Sequence, residues 1–391
     1  MRVAMISLHT STLAQPGSGD SGGLNVYVDN TARRLAAMGM RIDVFTRATS
    51  PGPTVIDVTD TYRVINITAG PYDGVPKEEL YTQLTTFADG IRAWAREPYD
   101  LIHSHYWLSG EVASLLSEVW QIPFVHTAHT LAAVKNLAKP PDDTPESQAR
   151  RTSEQHIVNN AAVLIANTEL ERADLIAHYN ADPAKIRVVY PGVDLAVFTP
   201  GPKQEHREKV IAFVGRLQQF KGPHVVLEAA AHIRHNHPDL PLAVLLCGGA
   251  SGAEATGETY HTLARELGLE GTVRFLDPVP ARQLVDIYRA ADVVAVPSYN
   301  ESFGLVAVEA QASGTPVVAA RVGGLPIAVS GVLVDTHDPA VWAREIYALL
   351  ADEERRLAMA QQAVTHARRF SWAATAEGLA ESYEFAQNMA H

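Results

Sequence analysis

Short apolar runs alternate with amphipathic segments along the whole chain. In the first half, RVAMISL, IDVFT, RVINI, LIHSH, PFVHT, VLIANT and IRVVY read as strands. Between the first two, Leu24, Val28, Thr31 and Leu35 recur at the spacing of one helix face. Strands that are apolar end to end are buried on both faces, which predicts a parallel sheet with helices on either side. The pattern fails around YPGVDLAVFTPGPKQEHREK, where Pro191, Pro200, Pro202 and a charged run predict a linker. It restarts with VIAFVGR, LAVLLCG, TVRFL, DVVAVP, TPVVAA and GVLVD. The expected fold is α/β: two doubly wound domains, over 1–195 and 205–370, that face each other across a cleft. A last helix over 371–391 is expected to pack back on the first domain.

Composition then narrows the setting. A length of 391 residues suits two domains of ordinary size. The formal net charge of −12 argues against non-specific nucleic-acid binding and leaves anionic ligands to local basic groups. With one cysteine, Cys247, no internal disulfide can form, and a reducing, cytoplasmic compartment is expected. No apolar run approaches the length of a bilayer span, and MRVAMISLHT reads as a first strand rather than a signal peptide.

Ligands of doubly wound sheets bind beyond the carboxyl ends of the strands, and the polar loops fall there. Gly17, Gly19 and Gly22 formally match a dinucleotide fingerprint. A long loop separates them from the strand, however, and the second strand ends FTRAT with no acid, so a dehydrogenase is disfavoured. What survives is a helix mouth at Gly22 and Gly23, whose exposed amides suit a phosphate. Arg216 and Lys221 in GRLQQFKG would clamp a diphosphate, a fork and a flexible ammonium together. His103, His105, His126 and His129 stand at strand ends. Neither a cysteine nor a well-spaced carboxylate completes a metal site, so hydrogen bonding or packing at the cleft is expected of them. In NESFGLVAVEA, Glu309 sits in an apolar stretch and needs a hydrogen-bond partner, for which a sugar diol or an ion pair would serve. Glu301 stands at the mouth of the same helix, beside the Ser302–Gly304 amides.

Over nearly the whole chain these residues resemble the GT-B glycosyltransferases of the retaining family 4 type, whose signature is GR…K followed by ExxxxxxxE. The resemblance implies two Rossmann-like domains and roles for four residues. Arg216 and Lys221 would hold the donor diphosphate, Glu309 the nucleotide ribose and Glu301 the transferred sugar, with Ser302, Phe303 and Gly304 lining the donor site. The stretches HTSTLAQPGSGDSGGLNVYV, AGPYDGVPKEEL, DLIHSHYWLSG, HTAHTLAAVKN and DTPESQARR are similar to one branch of that family. Its members transfer N-acetylglucosamine from UDP-GlcNAc to 1L-myo-inositol 1-phosphate, without a required cofactor or metal. By that resemblance Lys77, Tyr106, Thr130 and Arg150 meet the acceptor phosphate, Asn25 the inositol, and His129 borders the reacting centre. Thr12 and Leu24 depart from the proline and methionine usual there, and Val279 leaves uracil against guanine open. The rivals are a paralogue with another small acceptor and a nucleotide-sugar sensor without turnover. A homodimer through helices of the first domain is compatible with the sequence.

Overall fold

The computed structural model describes every residue except 18–19, 73–74, 76, 140–143, 203–206, 250–256 and 390–391, and at 77, 78 and 257 the backbone alone. Each apolar run becomes a strand. The first sheet holds β1 (Arg2–Ile6), β2 (Arg41–Arg47), β3 (Val55–Thr59), β4 (Tyr62–Ile67), β5 (Leu101–His105), β6 (Phe124–Thr127), β7 (Val163–Ala166) and β8 (Ile186–Val188), in the order β3-β4-β2-β1-β5-β6-β7-β8. The second holds β9 (Lys209–Val214), β10 (Leu242–Cys247), β11 (Val273–Leu276), β12 (Val293–Val296), β13 (Val317–Ala320) and β14 (Val332–Val334), in the order β11-β10-β9-β12-β13-β14.

Burial on both faces explains the absence of alternation. Val3 and Met5 of β1 point into a core shared with Val28, Leu35 and Leu379. Ala4 and Ile6 point into the opposite core with Phe45, Phe87 and Leu108. The exception is β3, which pairs antiparallel with β4 and corrects the expectation of a wholly parallel sheet. Its sequence VIDVT sits at the sheet edge and turns back within a few residues, so no crossover helix is needed.

One further feature departs from the sequence reading. The proline-rich segment after β8 is not a free linker: Val193 and Phe198 are 3% and 5% exposed and join the core of the second domain. The final helix, Trp372–Met389, returns to the first domain against Gly23–Ala37. There His103 Nδ1 lies 2.7 Å from Tyr383 Oη, and Trp372 meets Tyr27 edge-on at 5.8 Å. Among the described residues no helix is long and apolar enough to cross a membrane.

The chain runs from β1 to β2 on one side and later to β5 on the other. It does the same from β9 to β10 and then to β12. These two reversals splay the connecting loops apart and open a crevice at the carboxyl end of each sheet.

Candidate active site

The second domain supplies the cationic wall. Beyond β9 the chain passes Arg216, a 3-10 turn at Gln219–Lys221, and Gly222 in the left-handed region at φ 73°, before the helix Pro223–Asn236. Beyond β12 it reaches Glu301. Lys221 Nζ donates to Glu301 Oε2 at 2.5 Å, and Ser298 Oγ donates to the same oxygen at 3.2 Å. The two sequence motifs, eighty residues apart, thus meet as one ion pair at the switch point.

A third loop, RVGGLP, holds the pair in place and carried no signal in the sequence reading. Gly324 N donates to Glu301 O at 2.8 Å, and Gly323 lies at φ 51° against the same carbonyl. A Cβ at Gly323 would come within 1.9 Å of Glu301 O. Gly323→Ala is therefore expected to lower stability by about 3 kcal/mol or more, through strain and a backbone clash together. Urea unfolding of the variant checks this.

The first domain brings a helix mouth to the same place. A Cβ at Gly22 would lie 3.8 Å from Arg216 Nε, so the guanidinium stands against the amino end of Gly23–Ala37. Burial pulls Arg216 below its ordinary value, while Asp20, Glu301 and Tyr106 act in the other direction. A half-positive helix end, a guanidinium and an ammonium converge, which is an arrangement built for an anion. Gly304, at φ 106°, opens the helix Leu305–Ala312 beside Ser302.

Two donor-side residues sit differently from expectation. The Phe303 ring is 2% exposed and packs on Phe370 at 5.2 Å, so it is core and only its backbone can border the cleft. Glu309 is buried and accepts from Tyr288 Oη at 2.8 Å, which gives it a hydroxyl partner rather than an ion pair. Burial pushes its carboxyl up to about 7, against the pull of the Tyr288 bond.

On the first domain, Tyr106 and His129 are non-glycine residues with φ of 73° and 60°. Such backbone costs about 1–3 kcal/mol each and gathers at functional sites. His129 Nε2 lies 3.0 Å from His105 Nδ1, and burial pulls its ring down to about 3, so it works as neutral imidazole. The other histidines lie deeper: His103 bridges Tyr383 and Thr127, and His126 meets Ser104 Oγ at 2.9 Å.

Arg150 is 2% exposed, stacks over Tyr106 at 4.9 Å and donates to Thr130 Oγ1 at 2.9 Å. It also meets Glu154 at 2.7 Å and Glu146 at 3.0 Å. Asn25 is turned inward: its amide donates to Thr10 Oγ1 and Ser11 O, and its Oδ1 accepts from Gly22 N at 2.9 Å. It shapes the helix mouth. Lys77 begins a 3-10 turn, and its side chain lies outside the described residues.

The loop after β1 also clasps the second domain. Gln15 Nε2 donates to Val279 O at 3.0 Å, and Gly249 N donates to Gly17 O at 2.9 Å. Between the domains is a cavity of about 1320 Å³ whose walls include Asp20, Tyr106, His129, Arg150, Arg216 and Glu301. Its volume exceeds an ordinary small-molecule pocket and suits two ligands side by side.

Comparison with known proteins agrees with this geometry. The profile of Glycosyltransferase Family 4 matches residues 21–197, and that of Glycosyl transferases group 1 matches 199–366. A D-inositol 3-phosphate glycosyltransferase of Corynebacterium efficiens is 58% identical over 98% of this chain and 95% of its own. Another, of Salinispora arenicola, is 51% identical over 98% and 91%. Among solved structures, the sucrose-phosphate synthase of Thermosynechococcus elongatus superposes with a TM-score of 0.89 at 32% identity, over 98% of both chains. An Anabaena protein in complex with UDP and glucose shares the fold, with a TM-score of 0.74 at 22% identity, over 98% of this chain and 99% of its own.

Fold and cleft together define a glycosyltransferase of GT-B architecture that draws on a nucleotide-sugar donor. Within that class the chain belongs to the D-inositol 3-phosphate glycosyltransferase family.

Proposed function

We propose that this enzyme transfers N-acetylglucosamine from UDP-GlcNAc to D-inositol 3-phosphate with retention of configuration, the MshA reaction of mycothiol biosynthesis. The observation that carries the reading is that each wall of the cleft carries cations: Arg216 and Lys221 on one, Arg150 and Lys135 on the other. Arg216 faces the mouth of Gly23–Ala37 on the donor side with Lys221 lining the same cavity, and Arg150 stands with Thr130 and Tyr106 on the other. A diphosphate donor and a phosphorylated acceptor need cations on both walls. The names of the relatives, over nearly their full length, support the acceptor.

In this reading Arg216, Lys221 and the helix-mouth amides take up the charge of the departing diphosphate, which lowers the cost of an oxocarbenium-like transition state. Glu301 meets the hydroxyls of the transferred sugar, and Glu309 the ribose. The acceptor hydroxyl attacks from the side the diphosphate leaves, and its proton passes to a phosphate oxygen. Neutral His129 borders the reacting carbon and adds no charge there. Asn25 acts by positioning Gly22, and Lys77 joins the acceptor phosphate site. Closure of the cleft excludes water, which would otherwise compete as acceptor.

Nucleotide release from purified enzyme tests this, with UDP-GlcNAc and a GDP-sugar each supplied with and without inositol phosphate. UDP release that depends on inositol phosphate is the expected result. Release indifferent to inositol phosphate, or a demand for the GDP-sugar, would overturn it.

A further inference from the structure

The acceptor-side anion site is already occupied by part of the protein. Glu146 lies just before the helix Gln148–Asn160, and its carboxylate bridges two cations: Arg150 Nη1 at 3.0 Å and the ammonium of Lys135. Lys135 and Glu146 both line the cleft. Arg150 also holds a second carboxylate, and the two are not equivalent. Glu154 is sealed in, with side-chain exposure of 3%, and accepts from Ala132 N and Tyr179 Oη besides Arg150. It is a permanent structural partner. Glu146 is 20% exposed, and the contacts resolved for its carboxylate are the two cations.

We infer that Glu146 is a resident counter-anion in the acceptor site, bridging Arg150 and Lys135 where an acceptor's phosphate binds, and that it yields this place to the phosphate. The exchange makes Lys135 a phosphate ligand of the loaded enzyme, a role the sequence reading did not give it. The inference rests on the proposal that the acceptor is phosphorylated.

Charge explains what the arrangement accomplishes. With Glu146 in place, two cations face two carboxylates, so the cluster is neutral to an approaching molecule. A neutral polyol cannot replace the carboxylate without stranding both cations, whereas a phosphate ester brings its own charge. The site thereby rejects the unphosphorylated analogue through a penalty as well as favouring the phosphorylated one through attraction. The exchange needs little rearrangement. Glu146 N donates to Asn136 Oδ1 at 2.7 Å and Asn136 Nδ2 donates to Glu146 O at 3.4 Å, so the backbone stays anchored while the side chain swings. Lys135 also lies 5.3 Å from the Phe220 ring of the opposite domain, which sets its ammonium at the cleft boundary.

The test is calorimetric titration of inorganic phosphate, inositol phosphate and free inositol into wild type, Glu146→Gln and Lys135→Met. Inorganic phosphate needs no assumption about the acceptor's carbon skeleton. Removing the resident charge is expected to tighten phosphate about tenfold in Glu146→Gln, and removing the ammonium to weaken it about tenfold in Lys135→Met. Unchanged or weaker phosphate binding by Glu146→Gln would overturn the inference, whether or not inositol phosphate is the substrate. Should Glu146→Gln lose UDP binding and cooperative melting, its fold has gone, and Lys135→Met decides: wild-type phosphate affinity there overturns the inference. If phosphate responds as expected in both variants but wild type ignores inositol phosphate, the counter-anion stands and the choice of acceptor falls.

Discussion

Lys221→Met is expected to lower kcat/KM by about a thousandfold, equivalent to about 4 kcal/mol of transition-state stabilisation. In the proposed mechanism Lys221 brings a positive charge to the place where diphosphate charge develops, and among the described residues its ammonium donates to Glu301. The loss should therefore appear in kcat more than in KM, because the charge matters most when the glycosidic bond is breaking. Arg216→Lys keeps a cation but gives up the planar fork at the helix mouth, and a smaller loss of about tenfold to a hundredfold is expected. Initial rates of UDP release, with melting curves to establish the fold, check both. A Lys221→Met enzyme within about threefold of wild type would remove Lys221 from the leaving-group site, since one oxyanion-stabilising donor is ordinarily worth a hundredfold or more.

Much of this site could be read from the chain because its parts are local. Arg216 and Lys221 stand on one loop, and Glu301, Ser302 and Gly304 at one helix mouth, each directly after a run that is apolar end to end. Such runs are legible when both faces of a sheet are covered, and every one of them became a strand. The strand Val55–Thr59 escaped because it lies at the edge, where one side is exposed and the apolar run is broken by Asp57. The segment after β8 misled for the opposite reason. Its prolines signal irregular backbone correctly, but irregular backbone can still bury Val193 and Phe198. Interactions between distant loops left no local trace. Nothing near Glu301 announces that Gly323 and Gly324 will lie beneath it, and nothing near Arg150 announces that Lys135 will share Glu146 with it. Nor does anything local announce that the Asn25 side chain will hold the Gly22 turn.

Below neutral pH the protein is expected to lose stability faster than its surface charge alone would dictate. Burial holds His103, His105, His126 and His129 below the ordinary histidine value, the last two at about 3. The unfolded chain protonates all four below about pH 6.5, the native state does not, and stability must fall as pH drops through that range. Two buried carboxyls act in the opposite sense. Burial raises Glu171 and Glu309 to about 7, so between about 4.5 and 7 the native state holds protons that the unfolded chain has released. Burial also holds His224 down at about 4, so five histidines against two carboxyls leave about three protons taken up on unfolding near pH 5.5, a slope of roughly 4 kcal/mol per pH unit. Above pH 7 the two effects nearly cancel and stability should be flat. Urea unfolding at pH 7.5, 6.5, 5.5 and 5.0 measures the slope, and a flat profile down to pH 5 would mean the histidines are not held neutral. Variants separate the contributions by sign. His103→Gln should make the slope shallower by about one proton, because it removes a group that charges only on unfolding. Glu171→Gln should make it steeper by about one, because it removes a proton that the native state retains.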